Sequence, residues 1–206
     1  MRVVLAGFGP FPGAPFNPSA VLVEALSRRR RPALAGVTLN AHVFATTYAA
    51  VDRDLPKLFA QKPDIVLMFG LAVRSRQMRI ETRARNAVSV LRPDASRYRP
   101  IRNVISPGGP PALRGRAPFA RLLAALRQGA APGRLSRDAG RYVCNYAYWR
   151  ALRASRGGRP LVQFVHIPPA GTAARPRRPK RRQMSFAAVT RGAENLLIAL
   201  LAASRR

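Results

Sequence analysis

Hydrophobic and polar positions along the chain fall into segments of two different periods. RVVLAGFG (2–9) and DIVLMFGLA (64–72) are short and almost wholly apolar, the pattern of strands buried on both faces. VTLNAHVFATT (37–47) and RQMRIETRARN (76–86) alternate at period two. Further strands are expected at PLVQFVHIP (160–168) and around 133–138. A helix is expected from Asn17, a candidate cap followed by Pro18, to about Arg30. Helical patterns return over 48–61 despite Pro56, over 117–128, from Cys144 to Ala154, and from Ser185 to the end. The 93–116 stretch, rich in Pro, Gly and Arg, reads as loop. Strands alternating with helices predict an α/β layered sheet, with no internal repeat and no linker.

The chain has 206 residues, 48% of them hydrophobic, enough for one core and one domain. A single cysteine rules out an internal disulfide and fits a reducing compartment. The N-terminal apolar stretch is too short for a secretory segment, and the longest aliphatic run, Leu196 to Ala203, falls short of the ~20 residues of a membrane span. A soluble, cytoplasmic protein without membrane association is therefore expected.

Charge changes the picture. Lysine plus arginine number 37 against 8 acidic residues, formally +29, and only Lys57, Lys62 and Lys180 are lysines. Such a field attracts nucleic acid, anionic lipid or acidic partners. The positives are nonetheless spread along the chain, with local runs only at Arg28–Arg31, expected to end a helix, and at RPRRPKRR (175–182), expected in an exposed Pro-rich loop. Neither run is interleaved with the aromatic rings that single-strand binders use as stacking platforms, so no specific nucleic-acid site is expected.

Candidate chemistry follows from the layout. Ligands of open α/β sheets gather beyond the carboxyl ends of the strands. Gly7-Phe8, Gly70-Leu71 and His166 fall at such ends, and Cys144 opens a helix. A helix N-terminus or a neighbouring imidazolium stabilises a thiolate. His42 lies mid-strand on the polar phase and reads as solvent-facing or structural, whereas His166 ends an apolar strand just before Ile-Pro-Pro, a position that suits a general base. A Cys–His pair usually has a third group to orient the imidazole. Glu24, Asp52, Asp54 and Glu194 fall in helices and read as solvated-face residues, Asp64 starts a strand, and Asp94 and Asp138 fall in or near turns. Glu81, flanked on its own face by Arg79 and Arg83, reads from spacing as a surface ion pair. Spacing alone leaves the acid open.

The same segments resemble the pyroglutamyl peptidase I family of cysteine peptidases. GFGPFPG…NPS (7–19) is similar to the family's Gly-Phe-x-Pro-Phe-Gly-Gly…Asn-Pro motif, PDIVLMFGLA (63–72) to its third strand, and IETRARN (80–86) to its Pro-Glu-Arg-x-Ala-x-Asn segment. ISPGGPPA (105–112) resembles its Gly-Gly-Pro turn, AGRYVCN (139–145) its nucleophile motif, FVHIP (164–168) its histidine strand and QMSF (183–186) the start of its final helix. The order is kept over almost the whole chain. The resemblance implies a single-domain three-layer α/β/α sandwich around a mostly parallel mixed sheet over residues 1–206, and a Glu81–Cys144–His166 triad acting without cofactor or metal. It implies removal of N-terminal pyroglutamyl residues from peptides through a thioester, and a homo-oligomer, tetramer or dimer. It also implies a pocket in which Phe8 and Phe11 sandwich the lactam ring while Asn17 or nearby backbone, and Val143 beside the nucleophile, complete it. Core packing for the two phenylalanines and helix capping for Asn17 are the structural alternatives.

The chain departs from the family where Val73-Arg74-Ser75 stands in place of Gly-Gly-Arg, where Leu71 replaces a glutamine of some members, and where Leu91 stands at an arginine position beside Arg92. These changes leave the triad intact and bear on the pocket. Two other classes remain as alternatives: an Arg-rich polyanion or nucleic-acid binder on the same fold, and an amidohydrolase for another lactam or N-blocked amide.

Overall fold

The computed structural model describes residues 1–156, 158–171 and 184–205; the basic run expected at 175–182 lies outside them. Strand β1 (Arg2–Phe8) pairs in parallel with β2 (Thr38–Phe44) on one side and β3 (Ile65–Leu71) on the other. Next to β3 lies β8 (Leu161–Ile167), again parallel. Beyond it β4 (Met78–Glu81) runs antiparallel, and β7 (Gly133–Ser136) closes the edge in parallel with β4. The order is therefore β2-β1-β3-β8-β4-β7, and a small antiparallel pair, β5 (Arg83–Arg85) with β6 (Ala112–Arg114), stands apart. The mixed, mostly parallel sheet of the expectation is observed.

Helices cover both faces, as a sheet buried on both sides requires. Helix α1 (Pro18–Ser27), α3 (Phe119–Gln128) and α5 (Phe186–Ser204) pack on one face over an aliphatic core of Leu5, Leu67, Ile80, Val165, Leu196 and Leu200. Helix α2 (Tyr48–Ala60) and α4 (Val143–Ala154) cover the other, whose core mixes aliphatic residues such as Val4, Val66 and Met68 with the rings of Phe8, Phe44, Tyr148, Trp149 and Phe164. By length and composition α5, 19 residues, is apolar enough to cross a membrane, a match that the shorter aliphatic run had concealed; half of it is buried within the fold.

Several expectations need correction. The alternating segment 76–86 is not one strand: the chain leaves the sheet at Thr82, whose N–H bonds to the Ser136 carbonyl, and β5 pairs elsewhere. The stretch 93–116 contains β6. Helix α1 stops at Ser27, so the arginine run lies mostly beyond the helix, with Pro32–Leu34 forming a short 3-10 turn. Glu194 is buried, not solvated, because Arg31, 163 residues away, reaches it at 2.8 Å.

Candidate active site

Three elements of the aromatic face bring the candidate residues together. In the antiparallel β4–β8 ladder Arg79 lies opposite His166 and Glu81 opposite Phe164. Directly opposed residues share a face of the sheet, so Arg79, Glu81, Phe164 and His166 point the same way. In the parallel β3–β8 ladder Gly70 lies opposite His166. Helix α4 crosses above, with Tyr142 at its N-cap and Cys144 in its first turn. The turn into it needs a left-handed residue, and Gly140, at φ 85°, supplies one.

Glu81 is fully buried, which overturns the surface ion pair read from spacing. Its Oε1 lies 2.8 Å from His166 Nδ1 and 3.1 Å from Arg79 Nη2. A carboxylate only accepts, so the contact has His166 Nδ1 carry a proton, and in the neutral imidazole Nε2 keeps its lone pair. The backbone carbonyl of Glu81 accepts from Tyr148 Oη and Gln163 Nε2, each at 3.0 Å. Arg79 Nη2 also donates to Ser136 Oγ at 3.1 Å and to the Asp138 carbonyl, tying the acid to the loop that leads into α4.

Cys144 is half-buried over Gly70. A methyl group added at Gly70 would stand 2.9 Å from Cys144 Sγ and 2.8 Å from Phe164 Cζ, so only glycine lets the thiol approach the sheet beside His166. Phe164 packs against His166 with ring centroids 4.9 Å apart, and against Tyr148 at 5.7 Å. Tyr148 stands four residues after Cys144, on the same side of the helix. One helix thus carries the thiol and an anchor of the acid. Burial pushes the Cys144 thiol up to about 12, the Glu81 carboxylate adds to the rise, and a backbone N–H at the sulfur acts in the opposite direction. At neutral pH the thiol keeps its proton unless a neighbouring base takes it. No side chain caps α4, and the N–H groups of a helix's first turn have no intrahelical acceptors.

The pocket residues divide. Phe8 is fully enclosed between Phe44, at 5.5 Å, and Phe164, at 6.0 Å, the core-packing alternative for that ring. Phe11 is half-buried at the rim, 5.8 Å from the Tyr142 ring. Asn17 caps α1 by accepting from Ser19 N–H and donates to the Gly9 carbonyl at 3.1 Å, which fixes the 9–17 loop. Val143 is buried and can serve a ligand only through its backbone. Leu71 is buried, whereas Val73 and Leu91 are exposed. His42 lies 3.4 Å from Asp54, the structural role expected of it. Asn145 and Asn86 hold the surrounding loops: Asn145 bonds to backbone at Arg85 and Ala87, Asn86 to backbone at Ile105 and Ser106.

Sequence reasoning placed Gly70 at the site by its strand end but missed Arg79, Tyr148 and Gln163 as parts of it. Gln163, the one amide within the apolar strand β8, and Tyr148, one helical turn after Cys144, were the available signals.

Comparison with known proteins accords with this geometry. The sequence profile described as pyroglutamyl peptidase matches residues 1–203. Among similar proteins, the pyrrolidone-carboxylate peptidase of Thermococcus onnurineus is 33% identical over 171 residues, 82% of this chain and 84% of that protein. The one from Gloeobacter violaceus is 31% identical over 199 residues, 96% of this chain and 95% of its own. The solved structure of pyrrolidone carboxyl peptidase from Thermococcus litoralis superposes with a TM-score of 0.86 at 25% identity, covering 98% of this chain and 93% of that one. A Pyrococcus furiosus mutant pyrrolidone carboxyl peptidase shares the fold, with a TM-score of 0.86 at 24% identity over 99% of this chain and all of that one. With a profile match over nearly its whole length and these relatives, the chain belongs to the pyroglutamyl peptidase family of cysteine-type aminopeptidases.

Proposed function

We propose that Glu81, His166 and Cys144 form the catalytic triad and that the chain releases N-terminal pyroglutamyl residues through a thioester. The observation that carries this reading is the buried 2.8 Å contact between Glu81 and His166 Nδ1, with Cys144 Sγ seated over Gly70, the ladder partner of His166.

His166 Nε2 takes the thiol proton as Sγ bonds to the pyroglutamyl carbonyl carbon. The resulting oxyanion is stabilised by the free N–H groups at the start of α4. As the tetrahedral adduct collapses, the C–N bond breaks and His166 returns the proton to the departing amine, leaving a Cys144 thioester. Water then attacks the thioester; His166 accepts its proton and passes it to the leaving sulfur, restoring the thiol. Glu81 keeps the imidazole in one tautomer and stabilises the imidazolium. Burial raises the thiol, so in this cycle the thiolate is formed by proton transfer to His166 rather than standing free beforehand.

Selectivity for the lactam ring is assigned to the half-buried Phe11 and to backbone of the 9–17 loop, with Asn17 holding that loop in shape. A homo-oligomer accords with the exposed apolar side chains Val73, Leu91 and Ile101. The test is release of a fluorescent amine from a pyroglutamyl amide, with prolyl and alanyl amides as controls. Selective release that disappears in Cys144→Ser is expected; release that persists in that variant would overturn the assignment.

A further inference from the structure

The sheet edge beside the triad holds an accumulation of charge that the reaction does not use. Arg79, Arg83, Arg85, Arg134 and Arg137 line one cleft of about 760 Å³, and among the described residues the only acidic one in its walls is Asp138. Arg79, Arg83 and Arg85 are half-buried, which is costly for like charges drawn together; among the described residues the carboxylates that offset them are Glu81, 3.1 Å from Arg79, and Asp138, 3.5 Å from Arg85. Protection of the exposed edge strand β7 would account for the exposed Arg134, on that strand, and Arg137, just after it. It does not account for the three on β4 and β5. Arg79 is engaged by Glu81, Ser136 and the Asp138 carbonyl, but the bonds that hold the other two use few of their donors: Arg83 Nε donates to the Arg137 carbonyl, and Arg85 Nε lies 3.5 Å from Asp138.

Position identifies the ligand. In an exopeptidase that removes the first residue, the substrate extends from the scissile bond in one direction only. Phe11 and the 9–17 loop follow β1, on one side of the thiol over β3; His166, which must meet the departing amine, stands on β8, on the other side. The leaving peptide therefore runs from β8 toward β4 and β7, into the arginine cleft. From β3 to β4 is two strand spacings, about 10 Å. An extended peptide covers that in about three residues.

We propose that this cleft binds carboxylate side chains about three to four residues downstream of the scissile bond, so that peptides with a blocked N-terminus followed by an acidic segment are preferred. The inference rests on the triad reading above. Arg83, Arg85 and Arg137 supply the charge, and Arg79 joins the cleft wall to Glu81.

The experiment compares kcat/KM on three pyroglutamyl hexapeptides differing only at the fourth and fifth residues, which are Glu, Gln or Lys, alongside a short pyroglutamyl amide. At low salt the Glu peptide is expected to exceed the Gln peptide about tenfold, through KM, with the Lys peptide lowest; at high salt the ratio shrinks toward one, as for exposed charges. In Arg83→Gln/Arg137→Gln the Glu-to-Gln ratio falls to near one, a ratio taken within one protein and so independent of how much of it folds. Equal kcat/KM on all three peptides, with the amide still cleaved, overturns the cleft proposal alone. A ratio that survives in the double variant also overturns it. No cleavage of any of them, amide included, by folded and reduced protein overturns the triad reading on which it stands.

Discussion

The two faces of the sheet are built from different residues and do different work. The face under α1, α3 and α5 is filled mainly by Leu, Val, Ile, Met and Ala, with Phe69, side chains with no hydrogen-bonding group to place. The face under α2 and α4 combines aliphatic residues with most of the buried rings, several with a polar end: Tyr148 gives its hydroxyl to the Glu81 carbonyl, Tyr142 to the Pro93 carbonyl and Tyr146 to Asp52. Aliphatic packing stabilises in proportion to buried area and specifies little about orientation. Rings with one hydrogen-bonding end fill space and fix direction at once. The candidate triad lies wholly on the side that carries most of the rings, so changes on the two sides are expected to separate activity from stability.

The largest separation is expected at the thiol. Cys144→Ser should lower kcat by about 10⁴ or more with little change in Tm, measured by amide hydrolysis and thermal melting. Glu81→Gln keeps the shape and loses the charge that holds the imidazole tautomer; a loss of about 10³ to 10⁴ in kcat is expected, by analogy with the acid of serine triads. On the aliphatic face the reverse holds. Leu200→Ala, at a fully buried side chain, should cost about 2–5 kcal/mol of stability in denaturant titration, while the folded fraction keeps its kcat.

Legibility differs between the faces as well. The strands β1, β3 and β8 are nearly continuous apolar runs and could be read directly, as could the start of α4 and the placing of Cys144 and His166 at strand and helix ends. The acid could not be read from spacing. Arg79-Ile80-Glu81-Thr82-Arg83 looks like one solvated strand face until two long-range events intervene: β4 pairs antiparallel with a strand 85 residues later, bringing Glu81 within reach of His166, and the chain leaves the sheet at Thr82, taking Arg83 away. The motif resemblance reached Glu81 where local pattern had pointed to the surface. Glu194 was misread for a similar reason, since Arg31 comes from the far end of the chain. Phe8 was expected at the pocket from the motif resemblance; its ring instead lies within the core between Phe44 and Phe164.

Smaller changes sharpen the comparison. Gly70→Ala places a methyl group against Sγ and the Phe164 ring and should reduce kcat by about 10²-fold, a loss that a 1 Å misplacement can cause. The thiol's ionisation offers a pH test with a definite sign. Its value is raised, so the neutral form persists until the pH nears 12 when no base shares the proton. In His166→Ala, alkylation of Cys144 should rise about tenfold per pH unit from pH 7 to 10 without a plateau. Adding Glu81→Gln removes a neighbouring negative charge and should increase the rate at each pH. A plateau near neutral pH in His166→Ala would show that the helix start alone stabilises the thiolate.

The most direct measurement is the intact mass of the protein quenched during turnover of a pyroglutamyl ester, followed by mapping of any adduct. The account predicts a gain of one pyroglutamyl group, held as a thioester on Cys144, that builds up before the steady state and is lost on further incubation. Steady release of pyroglutamate with no covalent species, or an adduct on another residue, would contradict it.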